Sequence, residues 1–167
     1  MTSRLNLLSP ASRLRIVRID GASSSDSLTP MVAVLREMLA QWKNNGAIRA
    51  GEVELLEGGA FLAVAYEPTG ADVSGCTKDQ LTHALLDFEA RLGIKLLNAL
   101  PLAVELEGRV RLVDREEFRH LRAEGVIHDE TVVFDYLIES LQDFGRFRTT
   151  VGQSWYARVG KPKALSS

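Results

Sequence analysis

The chain has 167 residues, of which 46% are apolar and 25% charged, with a formal net charge of −2. This is the size and balance of an ordinary globular protein, and it excludes collagen and low-complexity disorder. A lone cysteine, Cys76, excludes an intramolecular disulfide framework and suits a reducing compartment.

The longest apolar run, Ala60 to Tyr66, is too short to span a membrane, and residues 1–10 carry no apolar stretch of secretory-signal length. A soluble cytoplasmic protein is therefore expected. Residues 1–12 and 161–167 are mixed or polar and are expected to be loose, leaving 13–160 as a single domain. No internal repeat is present.

Arg13 to Ile19 reads as a first strand, followed by a polar loop over Asp20 to Ser27. A helix follows, with Thr29 as N-cap, Pro30 at the first helical position and an apolar stripe of Met31, Val34, Leu35, Met38, Leu39 and Trp42. Gly46 closes it. Glu52–Glu57 and Ala60–Tyr66 form a hairpin about Gly58-Gly59, a register that sets Val53 opposite Val64 and Leu55 opposite Leu62. Ala60–Tyr66 is apolar on both faces and belongs in the middle of a sheet.

Thr77-Lys78-Asp79-Gln80 has the form of a capping box and opens a second helix. Its buried stripe is Leu81, Ala84, Leu85, Phe88 and Leu92, and Gly93 is its stop. In the next hairpin, Leu102–Leu106 with Val110–Val113, a three-residue loop at Glu107-Gly108-Arg109 keeps the apolar faces together by pairing Leu106 with Val110. Asp114-Arg115-Glu116-Glu117 opens a third helix with Phe118 and Leu121 inward and Gly125 at its end. Thr131–Ile138 and Gln153–Val159 read as further strands. The order predicts an α+β fold, a mostly antiparallel sheet built from two hairpins plus flanking strands, with three helices packed on it.

One segment has chemical character. Gly70 to Thr77 has the spacing of a phosphate-binding P-loop, but Cys76 occupies the position of the lysine that reaches the β- and γ-phosphates. Lys78 comes two positions late. The loop is a degenerate P-loop, and nucleotide binding is the remotest of the functions open to it. Cys76 itself lies beside a helix start, where the macrodipole favours thiolate, and it is the one candidate catalytic residue. A lone cysteine is more often a small buried hydrophobe, and His83, the nearest base in sequence, is two turns further along the helix.

His83 and Asp87 share a helix face but lack a third ligand, so no metal site is expected. His128-Asp129-Glu130 reads as a solvated turn. From Leu141 onward five basic side chains oppose one acidic one, a net charge of +4, with Phe144, Phe147, Trp155 and Tyr156 interleaved. That composition suits nucleic acid, but the chain as a whole is acidic, which argues against such a partner.

Val73-Ser74-Gly75-Cys76-Thr77-Lys78-Asp79 resembles the Ser-Gly-Cys-Ser-x-Asp signature of a family of small uncharacterised bacterial proteins often labelled "ABC transporter ATPase". Gly125 with Thr131-Val132-Val133-Phe134-Asp135, and Ser154-Trp155, are similar to that family too. The resemblance implies no activity. It points to Ser74, Gly75, Cys76, Thr77 and Asp79 as the ligand-binding segment. The expected function is a non-catalytic cytosolic binding or protein-interaction module without a cofactor. The alternative is a thiol-dependent enzyme or redox protein using Cys76. A second copy of the chain is left open as a partner, while a membrane or nucleic acid is not expected.

Overall fold

The computed structural model describes residues 3–21, 25–96 and 102–159. Its class is α+β, with antiparallel pairing throughout, as the hairpins predict. The strands divide into two sheets rather than one, and the chain forms two compact units. The first is Met1–Leu97 with Tyr136–Phe144, and the second is Asn98–Asp135 with Gly145–Ser167. The span 13–160, expected as one domain, thus carries parts of both units.

In the first unit, β1 (Arg13–Arg18), β2 (Ile48–Leu56) and β3 (Phe61–Pro68) form a sheet of order β1-β3-β2. β3 is central and Phe61 to Tyr66 are all buried, as the doubly apolar run requires. Val53 faces Val64 and Leu55 faces Leu62, the register expected from the sequence. The turn is wider than two residues, because Glu57-Gly58-Gly59 makes a 3₁₀ turn. The outer edge of β1 is covered by the returning segment, where Leu14 N–H donates to Glu139 and Leu141 N–H donates to Ser12.

Helix α1 (Thr29–Asn44) corrects the first cap. Thr29 is itself helical, Leu28 is the N-cap residue, and a preceding 3₁₀ turn, Asp26–Leu28, leads the chain in. Met31, Leu35, Leu39 and Trp42 are buried, whereas Val34 is exposed and Val32 takes its place inward. Helix α2 (Gly75–Leu92) buries Leu81, Leu85 and Phe88, and Gly93 ends it with φ of +66°, a conformation that costs glycine nothing. Both helices share one core with Val17, Val53, Leu62, Val64 and Tyr66.

The loose start expected over residues 1–12 is also corrected. Arg4–Leu7 is a 3₁₀ turn with Leu5 fully buried, and the Ser3 hydroxyl donates to Glu54 on β2. Burying one leucine is worth about 2 kcal/mol, and the backbone bonds that Ser12 and Pro10 accept from Leu141 and Gln142 tie the segment further. The expected tail, 161–167, lies outside the described residues, as do 22–24 of the polar loop.

The second unit holds β4 (Leu102–Leu106), β5 (Arg109–Val113), β6 (Val132–Phe134) and β7 (Arg148–Thr150) in the order β5-β4-β6-β7, with α3 (Arg115–Ala123). Asp114 caps α3 as expected, its carboxylate accepting the Glu117 N–H at 2.7 Å. The hairpin register differs from the three-residue loop predicted. Leu106 pairs with Arg109 across a two-residue turn, Glu107-Gly108, with φ of +53° and +75°. That geometry matches the strand twist, and β5 is the terminal strand of its sheet, so mixed faces cost little there. Arg111 gains Glu117 at 2.6 Å.

The strand expected over 131–138 is only Val132–Phe134, and the one expected over 153–159 is a 3₁₀ turn, Trp155–Arg158. Ser154 caps that turn through Tyr156 N–H, an option that competes with strand pairing. Tyr156 is fully buried, and the Trp155 ring stacks on it at 4.2 Å between centroids.

Candidate functional site

The segment from Gly70 to Thr77 is an exposed connection running from β3 into α2. Ser74 adopts extended φ/ψ and its hydroxyl accepts the Thr77 N–H at 3.1 Å, so Ser74, not Thr77, is the N-cap. Thr77 stands three residues in, with its hydroxyl 3.0 Å from that of Ser74. Gln80, the assumed partner in the capping box, instead accepts the Trp42 indole N–H at 2.9 Å. The sequence offered two hydroxyls in this segment. The earlier one is placed where the chain leaves its extended conformation, and that decides the cap. Ser74→Ala should cost about 1 kcal/mol in urea unfolding, and Thr77→Ala well under half of that. Equal losses would contradict this cap.

Cys76, expected as a buried hydrophobe, is exposed on the first turn of α2. His83 is exposed further along the same helix. His120 pairs with Glu124 at 3.1 Å, and His128 Nδ1 accepts the Glu130 N–H, both in the second unit. Among the described residues no group of three or more His, Cys, Asp or Glu side chains could hold a metal.

The loop does not carry P-loop geometry. Neither Gly70 nor Gly75 has a positive φ, and β3 runs antiparallel to both its neighbours. In mid-loop, the Asp72 carboxylate takes Lys78 at 2.7 Å and approaches Arg13 at 3.9 Å. Burial pushes the Asp72 carboxyl up, but the Lys78 hydrogen bond, the Val73 N–H and the charges of Lys78 and Arg13 outweigh it. The net direction is down. The hydrogen bond to Asp72, then its charge, raises the Lys78 ammonium.

A depressed carboxyl contributes stability above its unfolded value of about 3.9, and that contribution is lost as pH falls through the folded value. The Asp72 side chain is 29% exposed and its partners about half exposed, so the effect is under about 1 kcal/mol. Asp72→Asn should therefore be less stable than wild type at pH 7, and the gap should narrow as pH falls below the unfolded carboxyl value of about 3.9 and through the lower folded one. A gap that persists unchanged to pH 2.5 would show that the charge is not its cause.

Beside this ion pair is a small cavity of about 110 Å³, lined by Arg13, Leu14, Arg15, Trp42, Tyr66, Lys78 and Leu81. Its construction follows from strand and helix periodicity. Arg13 and Arg15 alternate on β1 and stand opposite Tyr66 and Val64 of β3, so both arginines share the face on which α1 and α2 pack. Trp42 ends the buried stripe of α1, and its ring meets Tyr66 edge-on at 5.9 Å and 85°. The indole N–H bond to Gln80 holds that ring in place.

Tyr66 is only 7% exposed, but its hydroxyl oxygen keeps contact with solvent and makes no hydrogen bond to another described residue. Burial and the Asp72 charge raise its pKa against the opposing fields of Lys78, Arg13 and Arg15, so this phenol remains a neutral donor at pH 7. Arg15 makes one long hydrogen bond, 3.4 Å, to Thr82.

Comparison with known families, curated proteins and solved structures finds no match for the chain. Ser74, Gly75, Cys76, Thr77 and Asp79 adjoin the cavity in sequence but are not among its walls. Sequence reasoning passed over Arg13, Arg15, Trp42 and Tyr66, because each read as an ordinary strand or helix position. The one available signal was the spacing Arg13-Leu14-Arg15, two cations on one face of a strand whose remaining residues, Arg18 aside, are apolar.

Proposed function

We propose that the protein is a non-catalytic binding module that takes a small molecule in the cavity between β1, β3 and the two helices. The observation that carries this reading is a cavity that gathers Arg13, Arg15, Lys78 and the Tyr66 hydroxyl, which makes no hydrogen bond to another described residue. A hydrogen bond from this hydroxyl to a ligand exchanges one with water and is worth about 0.5–1.5 kcal/mol net, more where the acceptor is charged. The polar walls are donors without an adjacent nucleophile or histidine, which favours binding over turnover. A cytoplasmic location is supported by the exposed single thiol, and kinship with the small bacterial family by the three sequence patches. The thiol-dependent alternative draws on the exposure of Cys76 at the start of α2.

The test is a chemically mixed fragment library, screened on the ¹⁵N-labelled full chain by amide and indole shifts. Binding fragments should move the Trp42 indole N–H and the amides of Arg13, Arg15, Tyr66 and Lys78, and should do so equally in Cys76→Ser. A library in which no fragment moves these signals would remove the binding reading. Shifts that centre on Cys76 and vanish in Cys76→Ser would favour the thiol reading instead.

A further inference from the structure

Resting on that reading, we infer that the ligand is a small carboxylate carried on a short apolar group. The cavity is far below the roughly 300–1,000 Å³ that accommodates drug-sized molecules, so the ligand is small. Its polar walls are two guanidinium groups, an ammonium and a neutral phenol, all of which donate, so the group they receive is an acceptor and an anion.

The distribution of charge then separates carboxylate from phosphate. Asp72 already engages Lys78 and Arg13, which leaves Arg15 and the Tyr66 hydroxyl as the available donors. A planar guanidinium fork matches a carboxylate in two parallel bonds. A doubly charged phosphate beside Asp72 would meet its repulsion, and the loop offers no glycine nest to bind it through backbone N–H groups. Trp42 and Leu81 supply an apolar wall with no use for a second polar group, which fits an alkyl or small ring substituent.

The experiment titrates the ¹⁵N-labelled full chain with acetate, butyrate, butyramide and inorganic phosphate, following the Trp42 indole N–H. Butyrate should bind roughly tenfold tighter than acetate, from two further buried methylenes. Butyramide and phosphate should each bind at least tenfold more weakly than butyrate. Tyr66→Phe should weaken butyrate about tenfold without lowering the urea midpoint, since the solvent-facing hydroxyl bonds no other described residue. Arg15→Gln should weaken it further. Asp72→Asn should tighten it several-fold by releasing Lys78 and Arg13.

Butyramide equal to butyrate, tighter binding of phosphate, or no binding of either carboxylate would overturn the carboxylate inference. Fragments of another class moving the same indole signal would leave the binding reading standing. Silence from the entire library as well would remove both.

Discussion

Leu35→Ala is expected to destabilise the first unit by about 3 kcal/mol. Leu35 lies mid-way along α1, is fully buried, and belongs to the core formed with Leu39, Val53, Leu62 and Leu85. Truncation removes three carbon atoms from a dry interior and leaves a void that the sheet and α2 can only partly fill. Most of the cost is lost burial, and the remainder scales with the residual cavity. Alanine is a better helix former than leucine, so the helix itself is not weakened and the loss reports packing alone. Urea unfolding followed by Trp42 fluorescence measures it, with Trp155 replaced by Phe in both chains so that only the first unit is observed. A loss below about 1 kcal/mol would mean that α1 is not seated on this sheet as described.

The second large effect is expected at Tyr156→Phe, about 2 kcal/mol in the second unit. The Tyr156 hydroxyl donates to Phe134 C=O at 2.8 Å and accepts from Ala103 N–H at 3.1 Å, linking β6 to β4 through a side chain. Tyr156 and Phe134 are fully buried, and so is Ala103. Phenylalanine keeps the ring, and with it the contacts to Phe118 and Trp155, but orphans one donor and one acceptor away from water. Two observables should move together: the unfolding free energy falls and the Ala103 amide exchanges with solvent faster. An unchanged midpoint with unchanged exchange would show that the hydroxyl does not join these strands.

The two variants also illustrate the kinds of position that a sequence makes legible. Leu35 is readable in advance, because it recurs at helical spacing with Met31, Leu39 and Trp42 and only one face of that helix can be buried. Tyr156 is not. Its neighbours suit a strand as well as a turn, and its role depends on Phe134 and Ala103, 22 and 53 residues away.

By itself, the sequence determined what depends on nearby residues. The antiparallel α+β class, the central place of Ala60–Tyr66, the register of Val53 with Val64, the Asp114 cap and the Gly93 stop all follow from periodicity and local hydrogen bonding. Where the local signals allowed two solutions, only the tertiary structure decided. Ser74 displaced Thr77 as cap, a two-residue turn displaced a three-residue one, and the strands separated into two sheets. The candidate site belongs wholly to the second kind. Arg13 and Arg15 come from one strand, Tyr66 from another, and Trp42 and Lys78 from two helices, so no window of sequence contains it. The loop that attracted attention, Gly70 to Thr77, contributes Asp72, which holds Lys78 and Arg13 at the cavity's edge. A cavity is a property of surfaces that meet, and those surfaces are brought together by the burial of the whole core rather than by any one residue's preference.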